Sequence, residues 1–189
     1  EFEVTDVQKK LGDLFVHYGK VKKGSIKLDQ DVEMKINIEK RNDTRAYHSA
    51  THLLHESLRR VLGPHVTQKG SLVEPERLRF DFSHMKPISD DEMVKIESHV
   101  NDMISKQTEV TTRIMTPKEA VDNGALALFG EKYGDEVRVL SMGDEGEKYF
   151  STELCGGTHV KNTGDIGKFK IISQSSIAAG VRRVEALRD

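Results

Sequence analysis

The chain has 189 residues, of which 36% are hydrophobic, with 29 Lys and Arg against 31 Asp and Glu for a net charge of -2. That is enough apolar material for one or two packed domains, and it excludes a disordered tail or a fibre. No apolar run approaches the ~20 residues that cross a bilayer, and no basic segment followed by an apolar core opens the chain, so membrane and secretory readings fail. With no global positive field, any RNA contact must rest on a local patch. The single cysteine, Cys155, forms no intramolecular disulfide, which points to a reducing compartment, the cytoplasm, and leaves the thiol available for a metal or for chemistry. The first residue is Glu1 rather than methionine, and we read the chain as a piece of something longer.

From Gly12 to Arg41 the pattern has period two. Val32, Met34, Ile36 and Ile38 alternate with Glu33, Lys35, Asn37 and Glu39, and Gly19 and Gly24 mark turns. This predicts a small β subdomain over residues 1–42, part of a truncated barrel, because ~30 residues are marginal on their own. After the charged stretch from Glu39 to Asp43 the period becomes helical: Tyr47, Ala50, Leu54, Leu58 and Val61 recur at threes and fours. Asp43 or Thr44 caps the start, and Gly63-Pro64 stops it. Leu78, Phe80 and Phe82 alternate with Arg77, Arg79 and Asp81 in a second β region. Ser89 to Glu92 and Thr116 to Glu119 are capping boxes that open two more helices, the latter with Pro117 at its first position. Strands are expected at Glu136 to Met142, Lys148 to Leu154, Gly167 to Ser173 and Val181 to Leu187. The fold class that follows is α+β: an antiparallel-rich sheet with helices packed on it over residues 43–189, preceded by the small β subdomain.

Two spacings carry chemistry: His48-Ser-Ala-Thr-His52 and Cys155-Gly-Gly-Thr-His159. Positions four apart on a helix share a face, so the first two imidazoles can converge on one ion. Two glycines let the second segment turn tightly and present a thiolate and an imidazole from a loop. Three His and one Cys suit zinc in tetrahedral geometry, and random placement would produce both spacings in only ~1% of such sequences. His48, His52, His55 and Arg59 form a stripe beside the apolar face rather than within it. His55 is one turn further along, a residue behind the ligands or facing solvent. His84 ends a strand, where it either lines the same pocket or terminates the sheet. His17, His65 and His99 have no partner at ligand spacing.

The segments His48-Ser-Ala-Thr-His52-Leu-Leu-His, Gln68-Lys-Gly-Ser71, Arg79-Phe-Asp-Phe-Ser-His84, Ala127-Leu-Phe-Gly-Glu-Lys-Tyr-Gly-Asp135, Cys155-Gly-Gly-Thr-His159 and Gly180-Val-Arg-Arg-Val-Glu-Ala186 closely resemble the editing domain of bacterial alanyl-tRNA synthetase. The resemblance covers nearly the whole chain, and the metal motif is shared with the freestanding AlaX deacylases and the threonyl-tRNA synthetase editing domain. One departure is Tyr47, where asparagine is common before the first histidine.

The resemblance implies hydrolysis of the mischarged esters Ser-tRNA(Ala) and Gly-tRNA(Ala), with zinc held by His48, His52, Cys155 and His159, and with Thr51 and Gln68 near the substrate. The partners it implies are the acceptor end of tRNA(Ala) and the remainder of the synthetase chain in cis, with no membrane. Such a step has a physical reason. A pocket for alanine excludes glycine by only about 1–3 kcal/mol and cannot fully reject a small added hydroxyl. From Lys161 to Asp189 there are six Lys or Arg against three Asp or Glu, so Lys69, Arg182 and Arg183 are candidates for tRNA phosphates. The rival reading is a non-catalytic zinc-stabilised tRNA-binding module, since four protein ligands close a zinc site in the structural sense. A metallopeptidase is disfavoured because Ser49 stands where the general-base Glu of His-Glu-x-x-His would be.

Overall fold

The computed structural model describes residues 1–126 and 134–189, so the expected Gly-Glu-Lys-Tyr-Gly motif around Ala127 to Asp135 lies largely outside the described residues. The chain divides into two compact units, Glu1–Ile36 and Asn37–Asp189.

In the first unit, Phe2–Lys10 (β1) and Leu14–Val21 (β2) form an antiparallel ribbon running from the Phe2–Val21 pair to the Lys10–Leu14 pair, with a register slip between Val4 and Asp6. The alternation from Val32 to Ile38 does not become a strand. Residues 22–37 carry no ladder, since no strand lies opposite them among the described residues and a strand's amides and carbonyls need partners. Its apolar side chains stay exposed, Leu28 at 92% and Met34 at 75%.

The second unit opens on a cap that the alternating pattern concealed. Asn37, not Asp43 or Thr44, accepts from the Lys40 amide through its side chain, and helix α1 runs Ile38–Leu62. Thr44 instead donates its hydroxyl to the Lys40 carbonyl within that helix. The end is as expected: Gly63, at a φ of 119° that disfavours any side chain, donates its N–H to the Arg59 carbonyl. Gln68–Val73 (β3) and Leu78–Ser83 (β4) follow, then helix α2 (Asp90–Ser105), strand β5 (Thr111–Met115) and the short helix α3 (Pro117–Asp122). Ser89 and Thr116 make the two expected capping boxes. The last elements are Val137–Asp144 (β6), Tyr149–Leu154 (β7), a 3-10 turn at Thr163–Ile166, Phe169–Ala178 (β8) and Val181–Arg188 (β9).

The architecture is the expected α+β class, but the strands form two antiparallel sheets rather than one: a four-stranded sheet in the order β3-β4-β9-β8 and a three-stranded sheet in the order β5-β6-β7. Strand β5 completes the second sheet. The sequence pattern missed it because Thr111-Thr112-Arg113-Ile114-Met115 has no buried face to impose alternation.

Helix α1 touches both sheets. Ala46, Tyr47, Ala50, Leu54 and Leu58 pack with Leu78, Phe80 and Phe82 of β4, with Ile96 and Val100 of α2, and with Val184 and Ala186 of β9 in the main core. Tyr47 is a core residue, 3% exposed, whose hydroxyl donates to the Glu76 carbonyl at 2.9 Å and accepts from the Arg188 amide at 3.1 Å. Because β7 covers a further face of α1, two members of the histidine stripe that should lie beside the core are buried, His52 at 8% and His55 at 4% exposure, while His48 is half-buried. That placement sets up the site.

Candidate metal centre

Helix α1 supplies His48 and His52 from consecutive turns, and the loop after β7 brings Cys155 and His159 against them. One ligand atom from each of the four lies within 4.8 Å of the others. The Cys155 Sγ is 3.6 Å from His48 Nε2 and 3.3 Å from His159 Nε2. A tetrahedral ion bound at ~2.3 Å to sulfur and ~2.0–2.1 Å to nitrogen would separate those atoms by about 3.6 Å. The buried His52 Nε2 has no hydrogen-bond partner among the described residues, as expected of a nitrogen reserved for an ion. The donor set and its spacing are therefore consistent with zinc.

The loop reaches the helix only because residue 157 is glycine: a Cβ there would lie 2.2 Å from His48 Cε1, whereas one on Gly156 would meet nothing within 4 Å. Arg138 holds the loop from behind. Its guanidinium donates to the Gly157 and Cys155 carbonyls, and its own carbonyl accepts from the Cys155 amide.

The ring nitrogens facing away from the cluster are anchored too. Ser49 donates its hydroxyl to the Arg45 carbonyl and accepts from the Val160 amide, so the His159 Nδ1, 3.1 Å away, is the donor in that contact and its Nε2 faces Cys155. His52 Nδ1 lies 2.8 Å from one oxygen of Glu153, and His55 Nδ1 lies 3.0 Å from the other. Sequence reasoning missed Glu153. The only available signal was an acidic residue two before the cysteine, where the alternation of β7 would place an inward side chain.

Electrostatics favour a bound cation. Burial alone would raise the Cys155 thiol, but its close contacts with the His159, His48 and His52 imidazoles bring it down to about 3, so it is a thiolate. Burial would lower His52, but the charges of Glu153 and Cys155 and the contacts with both together outweigh it, raising the imidazole to about 10 in the absence of metal. Burial pushes His159 down to about 4, which keeps it a neutral donor of a lone pair. Burial would also raise Glu153, yet the facing His52 charge and the two imidazole hydrogen bonds hold it well below the usual carboxylate range.

The cluster forms one wall of a cleft of about 640 Å³. Thr51, Gln68 and Lys69 line it, as do His55, Arg59 and Phe80. Thr51 donates its hydroxyl to the Tyr47 carbonyl and keeps its lone pairs for a ligand. The Gln68 amide makes no side-chain hydrogen bond to another described residue, and both expected substrate residues line the same cleft as His48, His52 and Cys155. His55 is buried behind the ligands rather than facing solvent. His84 lies elsewhere, with its Nδ1 2.9 Å from His65 Nε2 beside Met85 and Lys86.

Arg182 and Arg183 do not line the cleft. Arg182 donates to Gln174, and Arg183 makes a two-pronged pair with the buried Asp81 at 2.7 and 2.8 Å. Chiefly through those hydrogen bonds, Asp81 is held below the ordinary carboxylate range, against its burial. A carboxyl lowered on folding stabilises above its unfolded value, about 3.9, and that contribution is lost as pH falls through the folded value. Asp81→Asn is expected to cost about 1–3 kcal/mol at neutral pH and to flatten the acid limb of stability below about pH 4. Urea titrations across pH check this, and an unchanged acid limb would contradict it.

Residues 137–185 match a family described as the threonyl and alanyl tRNA synthetase second additional domain, a segment that holds Glu153, Cys155 and His159 but not α1. Within that segment the chain is thus similar to a domain of threonyl- and alanyl-tRNA synthetases. Over nearly its whole length it is similar to alanine–tRNA ligases. It is 61% identical over 190 residues to that of Parvibaculum lavamentivorans, covering 99% of this chain and 21% of that protein. The ligase of Rhodopseudomonas palustris is 59% identical over 98% of the chain and 22% of its own length, and that of Granulibacter bethesdensis 57% over 97% and 21%. The chain spans about a fifth of the length of these ligases. Among the described residues no helix is long and apolar enough to cross a membrane.

Proposed function

We propose that this chain is the editing part of a cytoplasmic alanine–tRNA ligase and hydrolyses the ester of Ser-tRNA(Ala) and Gly-tRNA(Ala) at a zinc centre held by His48, His52, Cys155 and His159. The observation that carries the reading is the junction of that cluster with an open cleft lined by Thr51 and Gln68. A closed four-ligand set alone would suit an ion that only holds the fold. The cleft beside it, with unspent polar groups, favours hydrolysis.

When bound, zinc would supply positive charge beside the ester carbonyl, stabilising the oxyanion that develops there. The chain's own residues do the rest. Cys155, as an ion ligand, is not a free nucleophile, so water attacks the ester. Lys69, exposed and lining the cleft, can take a phosphate of the acceptor end, and Arg59, lining the same cleft, adds a second positive charge. Arg182 and Arg183 would first have to exchange Gln174 and Asp81 for phosphate.

Selectivity rests on a hydroxyl rather than on size, since a cleft that admits serine admits alanine. A serine hydroxyl can donate to Thr51 and meet the Gln68 amide, whereas alanine leaves those groups unpaired. Thr51→Val and Gln68→Leu are each expected to lower the serine-to-alanine hydrolysis ratio by about 5–150-fold, the equivalent of about 1–3 kcal/mol, with zinc content unchanged. Hydrolysis of Ser-tRNA(Ala) and Ala-tRNA(Ala) by the chain tests the function itself. Rapid loss of the seryl ester with a spared alanyl ester supports it, and no hydrolysis by zinc-loaded protein overturns it.

A further inference from the structure

Glu153 has no place in the reading of the ligands, yet it is the most enclosed acid beside them, 7% exposed at the penultimate position of β7. Three groups point at its carboxylate: His52 Nδ1 at 2.8 Å, His55 Nδ1 at 3.0 Å and the Ser151 hydroxyl at 3.4 Å. A carboxylate that receives donors on both oxygens is acceptor only. Each imidazole therefore carries a proton on Nδ1, which leaves the His52 Nε2 as the nitrogen that an ion would take.

Charge counting adds a second reason. A divalent ion with one thiolate and three neutral imidazoles carries a net charge of +1, and an uncompensated charge in a buried setting is costly. Glu153 is the acidic group in contact with a ligand imidazole, and its negative charge brings the assembly to zero. The other anchored ligand, His159, rests on the neutral Ser49 hydroxyl, which brings no charge.

We propose that Glu153 is the positioning residue of the metal centre, fixing the His52 tautomer and neutralising the residual charge of a divalent ion, while His55 saturates the opposite oxygen. This rests on the metal reading of the four ligands, but not on the identity of the substrate. It also gives the centre an ion preference: a monovalent soft cation with one thiolate is already neutral and has no need of the carboxylate.

The experiment uses Zn2+ and Cu+ as probes, each titrated against a competing chelator in the wild-type chain, Glu153→Gln and Ser49→Ala. Glu153→Gln is expected to lose about 10–100-fold in Zn2+ affinity with a change of no more than about threefold for Cu+, and Ser49→Ala to weaken both ions alike. Equal losses for both ions in Glu153→Gln, or no loss for zinc, overturn the proposal. Failure of the wild-type chain to bind zinc would instead overturn the metal reading beneath it. Should Glu153→Gln not fold, nitrogen-15 spectra of the zinc-loaded wild-type imidazoles decide. A proton on Nδ1 of both His52 and His55 is expected, and a proton on Nε2 of His52 overturns the proposal.

Discussion

Cys155→Ala is expected to abolish stoichiometric zinc binding and ester hydrolysis together. The thiolate is the only anionic ligand, and it touches both His48 and His159. Its loss leaves three imidazoles around an ion whose charge is then offset by Glu153 alone. Replacing groups that merely orient a ligand costs about 10–100-fold in affinity, so losing the ligand itself should exceed that range. The fold should survive, because the main core is built from α1, α2 and both sheets without the sulfur at its centre. Metal analysis beside a hydrolysis assay reads both effects, and full hydrolysis by the zinc-free variant would show that the cluster is structural only.

Gly157→Ala should come close to that effect without altering a single ligand. The added methyl would lie 2.2 Å from His48 Cε1 and 2.8 Å from its Nδ1, far inside contact distance, while Arg138 pins the loop from the other side. Either the imidazole or the Cys155 loop has to move, and zinc affinity is expected to fall by about 10–100-fold. Gly156→Ala, one residue earlier and facing open space, is the control and should change affinity little. Equal behaviour of the two variants would mean that the loop yields freely and that the close approach matters little.

The four candidate ligands were legible in the sequence because each half of the cluster is local: one helical turn separates His48 from His52, and a tight loop separates Cys155 from His159. Their partners were not legible, because Glu153 meets His52 and His55 across about a hundred residues of chain and no local spacing records that contact. The same limit left His55 open between a place behind the ligands and solvent, a choice that its burial in the fold decides. Capping boxes at Ser89 and Thr116 were readable from four residues each. The start of α1 was not, since Ile36 and Ile38 fit an alternating strand as well as a helix entry and only the Asn37 cap decides between them. Arg182 and Arg183 looked like phosphate contacts from their charge, and in the fold they hold Gln174 and Asp81.

The most direct test of the account is to strip the chain of metal, return zinc in measured increments, and follow bound zinc and Ser-tRNA(Ala) hydrolysis in the same samples. Hydrolysis is predicted to be absent at the start, to rise in proportion to bound zinc, and to level off at one ion per chain. Undiminished hydrolysis in the stripped protein, or saturation with zinc and no hydrolysis at all, would contradict it.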